Sequence, residues 1–211
     1  MSARISNPMS TQRNGPTCAL LAAFLTAAVG CHHAPALDTK PLDAAGLTYS
    51  GIVQLKALKI SNAEVLEIVK ARQGGLSEEG CIEVVQMFHQ RGEPFTAGEI
   101  VGGMITAGMR EKTTLELARM NQLGLGAGEL QAMRLAGLTD EIVLEVARRR
   151  ANGAPVLSGP SLAGMKNAGV RNSTLLELTR RGVPDSQAAA ILASRRHGAS
   201  DADILRRFSG S

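Results

Sequence analysis

"LQAMRLAGLTDEIVLEVAR", residues Leu130–Arg148, carries the pattern on which the fold reading rests. Leu130 and Met133 stand three residues apart and so share one face of a helix. Ala136-Gly137 follows, and Gly there fits the left-handed residue that closes a helix. After Leu138, the pair Thr139-Asp140 offers a start signal for a second helix bearing Leu144, Glu145, Val146 and Arg148. The stretch reads as helix, tight turn, helix.

Three more segments align with it without gaps: "IVQLKALKISNAEVLEIVK" from Ile52, "VGGMITAGMREKTTLELAR" from Val101 and "LAGMKNAGVRNSTLLELTR" from Leu162. Their first column is Ile52, Val101, Leu130 and Leu162, and three residues on come Leu55, Met104, Met133 and Met165. Five further on stand Ile60, Met109, Leu138 and Val170, preceded in three copies by Ala-Gly. The first copy has Leu58-Lys59 at that place, which leaves its turn open to a different form. Each second half places a Glu three residues before a base: Glu67 and Lys70, Glu116 and Arg119, Glu145 and Arg148, Glu177 and Arg180. Such pairs stabilise a helix surface by a few tenths of a kcal/mol, so the carboxylates read as surface partners and not as a catalytic set.

Counted from Ile60, Met109, Leu138 and Val170, the copies lie 49, 29 and 32 residues apart. The long first gap holds one more helix, from about Ser77 to Arg91, and Thr96-Ala-Gly-Glu99 has the spacing to start the next. Ser61 with Glu64 has capping-box spacing, while Thr139-Asp140 and Asn172-Ser173 are candidate caps for the later copies. Pro184-Asp185 and Ser200-Asp201 open two closing helices. Two-helix units of about thirty residues cannot bury their apolar stripes alone and must stack. The expectation is an all-α fold of tandem helix-turn-helix repeats, as a short α-solenoid or a compact helical bundle, over residues 51–211.

Composition agrees. Of 211 residues, 44% are hydrophobic and 20% charged, while aromatics are only 2%, so the core is built from aliphatic residues and Met. The recurring Met104, Met109, Met133 and Met165 are read as core. Gly102-Gly103 within a helical pattern costs about 1 kcal/mol per Gly against Ala, and close helix contact is the expected reason. The Ala-Gly-aliphatic turn followed by Leu-Glu resembles short helical repeats of uncharacterised bacterial envelope proteins, with "LAGLTDE" at Leu135–Glu141 the clearest instance. That resemblance implies a fold but no particular activity.

Before the repeats lies "AAVGCHH", Ala27–His33. Arg13 precedes an apolar run from Cys18 to Val29, too short to span a bilayer and suited to the core of a secretory signal. Ala28 and Gly30 then lead into Cys31. This resembles the lipobox of bacterial lipoproteins, although Leu is commoner where Ala28 stands. The resemblance implies a signal peptide over residues 1–30, cleavage after Gly30, and acylation of Cys31 that holds the mature chain on a membrane. His32 is not the Asp that retains enteric lipoproteins in the inner membrane, so the expected address is the outer membrane, facing the periplasm. A Cys-His-His metal site is the competing reading, but no second ligand pair stands nearby. Residues 31–50, with two Pro and little periodicity, read as a flexible tether.

The formal charge is +4, and loss of the first thirty residues, with Arg4 and Arg13 but no acid, leaves +2. So small a charge does not point to nucleic acid, and export argues further against it. The distribution is uneven: Cys31–Glu141 has ten Lys/Arg against fourteen Asp/Glu, and Ile142–Ser211 has eleven against five. Arg148, Arg149, Arg150, Arg180, Arg181, Arg195 and Arg196 form a candidate patch for an anion or acidic partner, against a plain solvated face. No nucleophile elbow, phosphate loop, HExxH or CxxC motif is present, so no catalytic residue, metal or cofactor is expected. Ser158-Gly-Pro-Ser161 reads as a loop and helix start, and Cys81 as a packed residue. The functional expectation is a lipid-anchored, non-catalytic binding or assembly module with an envelope protein partner. The alternative is an accessory protein that binds cell-wall or lipopolysaccharide anions through the Arg-rich half.

Overall fold

The computed structural model describes residues 36–125 and 127–208, and among them every regular element is helical. In chain order these are α1 (Lys40–Ala44), α2 (Tyr49–Ala57), α3 (Asn62–Gln73), α4 (Glu78–Gln90), α5 (Gly98–Thr106) and α6 (Glu111–Arg119). They continue as α7 (Ala127–Leu135), α8 (Asp140–Ala151), α9 (Gly159–Asn167), α10 (Asn172–Arg180), α11 (Ala188–Arg196) and α12 (Asp201–Arg207), with a 3-10 turn at Asp185–Gln187. Odd helices pack on odd and even on even, so successive hairpins stack as two rows. This is the connectivity of a short α-solenoid, in which each hairpin buries its stripe against its neighbours.

A residue with positive φ follows each of α1 to α11; nine are Gly, and the others are Lys59 (φ 59°) and Asn121 (φ 55°). After α5 and α7 the amides of Met109 and Leu138 reach back to the carbonyls of Met104 and Met133, both at 3.0 Å. These are the closing bonds of a Schellman turn. Lys59 adopts the same left-handed form as its Gly counterparts, and its Cβ carries a strain that Gly would not.

The repeat is in a different phase from the alignment. The first aligned copy covers α2 and α3, an even-to-odd connection, whereas the other three run odd to even. The extra helix α4 restores the phase. The spatial unit begins at a Gly-aliphatic turn that recurs as Gly46-Leu47-Thr48, Gly75-Leu76-Ser77, Gly108-Met109-Arg110, Gly137-Leu138-Thr139, Gly169-Val170-Arg171 and Gly198-Ala199-Ser200.

Part of the tether expected over residues 31–50 is folded, since α1 covers Lys40–Ala44 and α2 begins at Tyr49. Leu42 in α1 and Leu47 before α2 are 0% and 4% exposed, and α1 packs on α2 and α3. Two buried leucines commit this segment to the core, so the folded unit begins at Leu37 rather than at 51. Elsewhere the core is aliphatic as expected, with Met133 and Met165 fully buried and Phe88 against Phe95 edge to face at 5.2 Å between ring centres.

Helix starts depart from the expectation in an instructive way. The Ser61–Glu64 capping box forms. Thr139, Asn172 and Ser173 make no capping bond to their own helices, and the box expected from Thr96 and Glu99 does not form either. Instead, the first residue of α4, α6, α8 and α12 is a carboxylate that reaches back to the preceding even helix, while at α10 Asn172 donates to the Gly137 carbonyl at 3.0 Å. The Thr48 amide donates to Glu78 (2.5 Å), Ser77 to Glu111 (3.0 Å), Arg110 to Asp140 (3.4 Å) and Arg171 to Asp201 (3.2 Å). This is the work of a capping-box Glu, supplied by the next hairpin. At α12, the last helix among the described residues, the Ser200 amide bonds Asp203 of its own helix at 3.0 Å.

Candidate functional site

Small residues decide where the odd row opens. A Cβ at Gly98 would lie 1.9 Å from the Glu67 carbonyl oxygen, and one at Gly74 would lie 2.2 Å from the Gly102 Cα. These three glycines let the backbones of α3 and α5 touch. Gly159 instead lets α9 close on side chains of α7, where a Cβ would lie 2.3 Å from the Glu129 side chain. With α5 drawn onto α3 and α7 onto α9, the α5–α7 junction is left wide, and it holds a cleft of about 770 Å³.

The cleft is lined by Met104, Met109 and Leu130, each nearly buried, with Ile100 at 39% exposure. Glu67, Lys70, Glu99, Gln131 and Arg134 add its polar lining. Lys70 donates to Glu67 at 2.6 Å, and this bond holds the Glu67 carboxyl below its ordinary value. Glu67 also accepts from the Gly98 amide at 2.9 Å and thereby caps α5. Arg134 crosses the junction from α7, donating to the Gly108 carbonyl at 2.5 Å and to Asp140 at 2.6 Å. Burial would raise the Asp140 carboxyl, but bonds from Arg110 and Thr113 and the charge of Arg134 outweigh it and hold it low.

Gly103 sits in this lining within α5, and a Cβ there would meet nothing within 4 Å. The expectation of close helix contact for Gly102-Gly103 therefore holds for Gly102 only. The lining contains no Cys, His or Ser. An apolar bed between charged groups suits an amphipathic segment of another chain.

The residues singled out in the sequence are distributed differently. Gly30 and Cys31, with the signal segment, lie outside the described residues. Of the seven arginines, four are engaged within the fold. Arg149 donates to the carbonyls of Pro155 (2.9 Å) and Arg180 (2.8 Å), and Arg150 clasps Glu129 through both terminal nitrogens at 2.8 and 2.5 Å. Arg181 bonds Glu177 and the Leu205 carbonyl, and Arg195 bonds the carbonyls of Ala168, Gly169 and Ala199 beside Asp201. Arg148, Arg180 and Arg196 are exposed, the first two in the even row and Arg196 in the odd.

The repeated Glu–base pairs lie on helix surfaces: Glu67–Lys70 at 2.6 Å, Glu116–Arg119 at 2.5 Å and Glu145–Arg148 at 4.0 Å, while Glu177 pairs with Arg181 instead of Arg180. Ser158 caps α9, as its loop position suggested. Cys81 is fully buried, and burial pushes its thiol up to about 12. His89 bonds Glu64 at 2.6 Å, and among the described residues no cluster of metal-ligating side chains occurs.

Comparison of the chain with protein-family models, curated proteins and solved structures finds no match. The sequence reads Met104 and Met109 as core, and Glu67 with Lys70 as a surface pair, without bringing them together as a cleft, although Gly98 and Gly102 carry a readable signal. Small residues four apart on a helix mark a close-packed face, and the next residue, Gly103, then lies off that face.

Proposed function

We propose that this chain is a lipid-anchored cell-envelope protein, held by acyl groups on Cys31 at the outer membrane and facing the periplasm. Its helical-repeat domain is a non-catalytic binding and assembly module. The observation that carries the binding role is the α5–α7 cleft, which the chain's own side chains leave open and in which Gly103 keeps a helix backbone uncovered. An interior helix Gly costs about 1 kcal/mol against Ala, and no packing neighbour accounts for this one. The groove suits the apolar ridge of a partner helix, with Glu67, Lys70, Glu99 and Arg134 as flanking contacts.

A photo-crosslinking side chain at Gln131, tested in cells, is expected to capture one protein partner, and a second substitution, Gly103→Phe, is expected to abolish that capture. Equal capture with the cleft filled would refute the site. The Cys31→Ala protein is expected to leave the membrane fraction. The anion-binding alternative retains Arg148, Arg180 and Arg196, because the other four arginines hold helix ends or carboxylates. Charge reversal of those three is expected to leave partner capture unchanged if the cleft is the site.

A further inference from the structure

We propose that the end face of the solenoid formed by α1 and α2 rests on the bilayer surface, with Tyr49 and Val53 at the level of the lipid headgroups. The inference rests on acylation of Cys31 and goes beyond it, since it states which face the anchored domain turns to the membrane.

The repeat rule shows why this face is unusual. In α4, α6, α8 and α12 the first residue is a carboxylate that reaches back to the preceding even helix. In α2, the first even helix among the described residues, that position is Tyr49, and it is 84% exposed. One turn on, Val53 is 44% exposed, while its counterparts Ile82 and Leu115 are 7% and 9% exposed between stacked helices. Tyr49, Val53 and exposed Ala57 thus form a stripe at i, i+4 and i+8 on a terminal helix, where a soluble repeat protein needs a polar cap.

A second copy is a poor occupant. Four of the five even-row junctions pair a carboxylate at this position with a free amide opposite it, but Tyr49 supplies no carboxylate and the Ser200 amide is already held by Asp203. A bilayer fits better. Five residues separate Cys31 from Leu37, where the folded unit begins. Six peptide steps reach at most about 20 Å, so acyl chains on Cys31 would hold this end of the domain near the headgroups. Tyr favours the membrane–water boundary, where its ring is buried and its hydroxyl wet. Exposed Lys40, Lys56 and Lys59, against Asp38 and Asp43, give the same end a small positive excess for anionic lipid.

The chain has one Tyr and no Trp, so its intrinsic emission reports position 49 alone. The full chain, processed in a bacterium, would be purified and reconstituted in phosphatidylethanolamine–phosphatidylglycerol vesicles, and the mass of the Cys31 peptide read for acyl groups. The expected result is an acylated peptide, iodide quenching of Tyr49 reduced at least by half on vesicles relative to detergent, and quenching by brominated lipid. Acylated, vesicle-bound protein with unchanged iodide quenching would overturn the face and leave the anchor standing. Shielding from iodide without quenching by brominated lipid would also overturn it, because a second protein molecule would then be the cover. An unacylated peptide with protein left in solution would sink the anchor, and the face with it.

Discussion

Alanine at two adjacent glycines of α5 is expected to affect stability unequally, with a gain at Gly103 and no gain at Gly102. At Gly103 the new methyl meets nothing within 4 Å, so only the backbone term acts. That term favours Ala over Gly by about 1 kcal/mol in a helix interior. At Gly102 the same backbone gain applies, but the methyl would lie 2.7 Å from the Lys70 carbonyl oxygen and 3.3 Å from the Gly74 Cα, against 3.4 Å for ordinary contact. The helices would have to separate by several tenths of an ångström along their closest line. Overpacking of this kind costs about 1–3 kcal/mol. Propensity cancels between the two variants, so their difference is the packing cost alone. For a folded unit of this size it corresponds to about 2–12 °C in Tm. Thermal unfolding followed by circular dichroism checks it, with Gly103→Ala above the parent and Gly102→Ala below Gly103→Ala. Equal upward shifts would refute the claim that glycine draws α5 onto α3, and with it the account of why the cleft is open.

Asp140→Ala removes the acceptor shared by Arg134, Thr113 and Arg110 at a site only 5% exposed. A loss of about 2–4 kcal/mol in urea unfolding is expected, whereas Ala at the neighbouring exposed Glu141 is expected to leave the midpoint in place. Burial alone would raise the Glu64 carboxyl, but bonds from His89, the Phe95 amide and Ser61 bring it down to about 2 from 4.5. Its folded value lies below the unfolded one, so its contribution, about 3 kcal/mol, is present above pH 4.5 and is lost as pH falls towards 2. Glu64→Gln is therefore expected to flatten the decline of stability across that window, and an unchanged slope would count against the bonded carboxylate. In a protein carrying Cys18→Ser and Cys31→Ala, Cys81 is expected to react with iodoacetamide only as fast as the domain unfolds. Rapid modification at neutral pH would contradict its burial.

Much of the fold was legible because local rules and global packing agree. The Ala-Gly turns at Gly108, Gly137 and Gly169 mark helix ends whose left-handed backbone depends on one residue. The phase of the repeat was not legible, since "LKISN" before α3 imitates the turn that precedes the even helices. Only packing in space shows that α2 and α3 belong to different rows. Helix caps were misassigned for a related reason. A Ser or Thr before an apolar run predicts capping within a helix, which Ser61 and Ser158 perform, whereas the amide before α6 is served by a carboxylate about thirty residues away, Asp140 from Arg110. The tether was overextended because α1 has five residues, too few to show a helical period, although Leu42 and Leu47 anchor it.

The arginines show most clearly why charge counts and function part company in a stacked repeat. A hairpin array exposes helix ends at every junction, and each end leaves carbonyls without partners. Arg134 and Arg195 solve this identically, each reaching the carbonyl of the Gly that closes the preceding odd helix and the acid that opens the next even one. Arg149 and Arg181 serve carbonyls of the even row. A basic surplus towards the end of the chain is therefore consistent with junction chemistry and does not require an anionic ligand. Groups whose work is finished inside the fold are poor candidates for recognition. Two features are left without an internal explanation: a helix glycine with nothing packed on it, and an exposed aromatic at the first residue of α2. Gly103 opens towards the cleft and Tyr49 lies on the α1–α2 end, so on the proposed reading recognition and anchorage fall on different parts of one solenoid.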